Sequence, residues 1–76
     1  MGRVTTQRAD AVKATEEAAI KLAHIRGCSK VEASQAVAQT YAENLRLSRT
    51  TTMEPYWRLM VDVAEQQVAS ALGESA

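Results

Sequence analysis

Apolar residues recur three and four positions apart along most of the chain, and the breaks in that rhythm divide it into three amphipathic segments. The first stripe reads Ala11, Ala14, Ala18, Leu22 and Ile25, widened by Val12, Ala19 and Ala23, with Asp10, Lys13, Glu17, Lys21 and His24 on the opposite side. It predicts a helix over about 6–26. Thr5 or Thr6 can cap its start. Gly27 should end it, because glycine accepts the left-handed conformation after a helix, while Lys21, His24 and Arg26 complement the negative end of the dipole. Met1 to Thr6 reads as a short polar arm with a flexible tip.

Ser29, Lys30, Val31 and Glu32 form an S-x-x-E capping box, in which two side chains satisfy each other's exposed backbone amides, and a second helix is expected over 30–47. Its predicted inner face is Val31, Ser34, Ala38, Tyr41, Ala42 and Leu45, with Glu32, Gln35, Gln39, Glu43 and Arg46 facing water. After the run Thr50, Thr51 and Thr52, a third helix is expected over 53–72. Thr52 is its expected cap, which puts Pro55 in the first turn, where a missing amide costs little. Met53, Tyr56, Trp57, Met60, Ala64 and Ala71 make its inner face, broadened by Val61, Val68 and Leu72. Arg58 and Asp62 are spaced as an i, i+4 pair. Gly73 is the expected stop, followed by a tail.

Only Cys28 separates Gly27 from the Ser29 cap, and so short a link makes an αα-hairpin the natural arrangement. The expected fold is all α: a single small domain over 1–76, a three-helix up-down-up bundle with short flexible termini. A core in a chain of this size seldom supplies more than roughly 3–5 kcal/mol. One cysteine excludes an intrachain disulfide, and 14 alanines with no phenylalanine leave few large side chains to bury. Dimerisation is therefore the expected completion of the bundle.

Nine basic residues balance nine acidic ones, so no overall field draws the chain to nucleic acid. The distribution is uneven. Residues 1–30 carry six basic and three acidic side chains, and residues 31–76 carry the reverse. No apolar run is long enough to span a bilayer and the start lacks a signal-peptide pattern, so the expected location is the cytoplasm, without membrane contact.

Chemistry-bearing groups are sparse. His24 and Cys28 are four apart, but Gly27 breaks the helix between them and no further ligands lie nearby. Glu16 with Glu17, and Asp62 with Glu65, fall on or near polar faces, where neither carboxyl of a pair is desolvated for acid–base work. There is no Gly-rich loop, GxSxG or HExxH. The reading is therefore no enzyme, no cofactor and no metal.

Two surfaces remain as candidates. Met53, Tyr56, Trp57, Met60, Val61, Ala64 and Val68 form an apolar face of residue types enriched at interfaces, too wide for three Ala-rich helices to cover. It is the expected surface for self-association or another protein partner. The second candidate is the run Ala42, Glu43, Asn44, Leu45, Arg46, Leu47, Ser48, Arg49, Thr50 and Thr51. It resembles the A-x-x-L-G-L-S-R-T-T turn of helix-turn-helix DNA-binding regulators. That resemblance implies that Ser48 caps a recognition helix and that Arg49, Thr50 and Thr51 reach phosphates or base edges, with Arg46 in the turn. The run departs from the family where Arg46 replaces the turn glycine and where Thr52 replaces an apolar residue, and Pro55 would fall inside the recognition helix. The expected function is a small non-enzymatic interaction or regulatory protein acting through an amphipathic helical surface. A helix-turn-helix regulator bound to nucleic acid is the alternative.

Overall fold

The computed structural model describes residues 2–75, with side chains over 7–74. Three helices make up the fold: α1 (Gly2–Arg26), α2 (Lys30–Leu47) and α3 (Glu54–Ser75). Among the described residues there is no strand.

The limits of α2 are the expected ones. Ser29 sits in extended backbone, φ −71° and ψ 162°, and its Oγ accepts the Glu32 N–H at 3.1 Å. The capping box is only half reciprocal, because the Glu32 carboxylate accepts from the Ser29 hydroxyl at 3.2 Å instead of from the Ser29 amide. Upstream, Gly27 takes φ +64° and Cys28 N donates to the Ala23 carbonyl at 3.2 Å, the six-to-one bond of a Schellman ending. At the far end, Ser48 N donates to the Asn44 and Leu45 carbonyls and its Oγ donates to the Asn44 carbonyl at 2.7 Å.

The outer helices differ from expectation at their ends. α1 starts at Gly2 instead of near Thr5 or Thr6, because nothing between them interrupts the backbone ladder; Met1, at the tip of the expected arm, lies outside the described residues. α3 starts one residue later than expected. Met53, not Thr52, precedes the first turn, with its N–H donating to Thr51 Oγ1 at 3.2 Å and its carbonyl accepting from Trp57 N at 3.1 Å. Pro55 lies in that first turn, as expected. Gly73 does not stop α3, since Gly27 is the one described glycine with positive φ; the helix continues to Ser75, and Ala76 lies outside the described residues.

The helices run up, down and up. Lys30 meets Glu74 and Tyr41 meets Trp57, so α2 and α3 are antiparallel. Arg8 meets Asp62 and Val12 meets Gln67, so α1 and α3 run parallel. The most extensive pairing is α2 with α3. One buried cluster joins Ala11 of α1 to Met60 and Val63 of α3, with Val12, Tyr41, Trp57 and Leu59 packed around it. A second joins Ala19 to Ala33 and Val37 of α2. Side chains the size of Met60 and Val63 contribute about 1.5–3 kcal/mol each when fully buried, and alanine much less, so α3 supplies most of the stabilisation.

The buried faces of α1 and α2 are rotated from the predicted ones. On α1 it is Ala11, Thr15 and Ala19; Ala14 is exposed and Ile25 is 77% exposed. On α2 the centre is Ala33, Ser34 and Val37, while Ala42 is exposed. On α3 Met60, Ala64 and Ala71 are buried as expected, and Val63, which the pattern did not single out, is buried with them. Alanines on several sides of each helix blur the stripe, so a face one residue out of phase reads almost as well. The expected Arg58–Asp62 pair is replaced by Arg58 with Glu54 at 2.9 Å and Asp62 with Arg8 at 2.9 Å. An acid four residues before a base is the more favourable order on a helix.

Candidate functional site

Where the first halves of α1 and α3 run side by side they leave an open groove of about 480 Å³, lined by Gln7, Asp10, Ala11 and Ala14 from α1 and Pro55, Tyr56, Leu59 and Met60 from α3. The groove exists because the apolar lining that α1 offers there is only Ala11 and Ala14. Two small side chains on α1 stand across from a proline, a tyrosine, a leucine and a methionine, and the short side leaves the gap. Ala11 and Met60 form its floor, both buried. Tyr56 forms one wall and is 47% exposed, with Met53 equally exposed one turn before it.

Two aromatic contacts fix this end of α3. Trp57 lies 5.7 Å from Tyr41 of α2 between ring centroids and 5.0 Å from Tyr56 in an edge-to-face arrangement. Such pairs are worth about 0.5–1.5 kcal/mol beyond their buried area. Trp57 is thereby held on the α2 side of α3, and Tyr56 is directed outward on the α1 side.

The seven residues expected to associate divide into three groups. Met60 and Ala64 are 4% and 1% exposed, on the inner face expected of them, and the chain's own helices cover them, so neither is open to a partner. Trp57, Val61 and Val68 are half-buried, and Val68 lines a shallow groove with Gln35, Ala38 and Gln39 of α2. Met53 and Tyr56 alone present substantial apolar area. The sequence reading passed over Leu59 and Pro55, although Leu59 follows Tyr56 at the three-residue spacing that keeps two side chains on one face.

The residues of the turn resemblance occupy the end of α2 and the link that follows it. Arg46 is on the last turn of α2, with its Nε donating to Glu43 Oε2 at 3.1 Å and its Nη2 bonded to Glu43 Oε1. That hydrogen bond, with the guanidinium charge, lowers the Glu43 carboxyl below its ordinary pKa and raises Arg46. Both groups are open to water. Ser48 caps the end of α2. Arg49, Thr50 and Thr51 are exposed in the link, ahead of the first turn of α3, which begins at Glu54. Thr50 holds φ +65°, a conformation that β-branched residues rarely adopt.

Among the described residues, no three His, Cys, Asp or Glu side chains come together as metal ligands, and no helix is long and apolar enough to cross a membrane. Cys28 is a half-buried free thiol. Fold and groove together define a small helical bundle with an apolar cleft between parallel helices. No protein-family model, curated protein or solved structure matches the chain.

Proposed function

We propose that the chain is a small non-enzymatic interaction protein, self-associating or binding another protein through the apolar cleft between α1 and α3. The observation that carries this reading is the exposure of Tyr56 and Met53 beside a groove floored by buried Met60 and Ala11. Tyrosine and methionine are enriched at interface cores, and an aromatic wall next to an unfilled pocket is the arrangement in which hot-spot residues are found. Helical DNA reading has less behind it. It rests on the likeness of residues 42–51 alone, and Arg46 is already engaged by Glu43.

Light scattering tests the proposal. The wild-type chain is expected to run as a dimer at high micromolar concentration, and Tyr56→Glu, which places a charge on the groove wall without touching a buried residue, is expected to run as a folded monomer. A wild-type chain that stays monomeric, and whose fold and mass are unaffected by the substitution, removes self-association through this cleft. Retention of upstream operon DNA in a gel shift, lost in Arg49→Ala and steeply weakened by salt, would favour the DNA reading instead.

A further inference from the structure

The middle of the α1 contact face holds a group that does not fit its surroundings. Thr15 is 1% exposed, and its Oγ1 has no hydrogen-bond partner among the described residues. Helical spacing places it between Ala11, which belongs to the cluster with Met60 and Val63, and Ala19, which belongs to the cluster with Ala33 and Val37. Elsewhere the same chemistry is satisfied locally: Thr40 Oγ1 donates to the Ala36 carbonyl at 3.0 Å, and Ser48 Oγ to the Asn44 carbonyl. A hydroxyl that is solvated when α1 is free and unpaired when α1 is docked favours the undocked state.

The rest of the α1 interface is correspondingly thin. Among the described residues its buried members are two alanines and this threonine, with Val12 and Leu22 half-buried beside them. Open grooves flank it on both sides, one against Tyr56 and Leu59 and a second of about 310 Å³ against Lys30, Gln67 and Ala71. Among the described residues two polar tethers hold it to α3: the Arg8–Asp62 pair at 2.9 Å, which is largely in water, and Gln67 Nε2 donating to the Val12 carbonyl at 3.0 Å. Its connection to α2 passes through Gly27, whose backbone can turn without steric penalty.

We propose that α1 is a displaceable cover: it undocks from the α2–α3 hairpin while the hairpin stays folded, uncovering the apolar strip of Ala33, Val37, Met60 and Val63, and the Thr15 hydroxyl sets how often it does so. The closed bundle is then one of two working states. The open state carries the larger apolar surface.

Native-state hydrogen exchange on the full chain, read by mass spectrometry, tests this. In the wild type, central amides of α1 over residues 11–23 are expected to exchange at least about tenfold faster than central amides of α2 and α3, because low-stability units open independently of the whole. Thr15→Val keeps the shape and removes the hydroxyl, and is expected to slow α1 exchange about tenfold while leaving the hairpin unchanged. Thr15→Ser keeps the hydroxyl, loses a methyl group, and is expected to exchange faster than wild type in α1. Equal protection of α1 and the hairpin in the wild type would overturn the proposal. So would a folded Thr15→Val protein whose α1 exchanges as fast as before.

Discussion

The α2–α3 hairpin and the α1 helix contribute to the core with different materials. Along the hairpin seam lie Met60, Val63, Val37, Tyr41 and Trp57, side chains with enough area to offset the entropy of ordering them. Against that seam α1 sets Ala11, Thr15 and Ala19. Small residues allow close approach but bring little area, and the single hydroxyl among them is unpaired. Helix length is thus a poor guide to contribution. α1 is the longest of the three helices and the one least committed to the core.

The largest test of that contrast places a charge in the seam. Val63 is 1% exposed, so Val63→Asp must desolvate a carboxylate without a partner, at several kcal/mol. That equals the whole stability expected of a chain this small. Circular dichroism should show an unfolded protein. A folded Val63→Asp variant would mean that the seam is not the main source of stability.

A smaller effect is expected on the other side of the comparison. Ala19 packs against Ala33 and Val37, and Ala19→Leu forces three extra carbons into that contact, at about 1–3 kcal/mol. If α1 is the separable part, the cost appears as lost exchange protection in α1, with the hairpin amides unchanged. Equal loss in all three helices would join the two regions into one cooperative unit.

The smallest effect concerns the end of α2. The hydrogen bond and charge of Arg46 hold Glu43 below the ordinary glutamate pKa. A carboxyl lowered in the folded state adds stability that is complete above its unfolded pKa and is lost as pH falls through the lower folded value. With both side chains exposed, the contribution is slight. An NMR titration should find the Glu43 midpoint below the usual glutamate range in the wild type and back within it in Arg46→Ala, with little change in melting temperature.

The parts of the fold most legible in the sequence are those fixed by local chemistry. Ser29 and Glu32 mark the start of α2 because a cap is a contact between near neighbours, and Gly27 marks the end of α1 because a left-handed residue was needed there. Gly73 carries the same letter with no such need, and the helix passes through it. The phase of each helix was harder to read. Ala14 fits the α1 stripe as well as Ala11 does, and only docking against α2 and α3 leaves Ala14 exposed and buries Thr15. The candidate site was legible in part. Tyr56 and Met53 were identified from composition and spacing, whereas the cleft beside them depends on which α1 alanines face α3, a tertiary fact with no local signal.

Trp57 is the one tryptophan of the chain, and its place on the hairpin has an optical consequence. Its indole lies 5.7 Å from the Tyr41 ring across the seam and 5.0 Å from the Tyr56 ring, so it collects excitation from both tyrosines while α2 and α3 stay paired. Emission therefore reports the seam, whereas far-ultraviolet ellipticity weighs every helical peptide bond, including the 25 residues of α1. The two signals observe different fractions of the same molecule. If α1 separates before the hairpin melts, ellipticity falls while the emission of Trp57 still has its folded colour, and a single melting temperature no longer describes the chain.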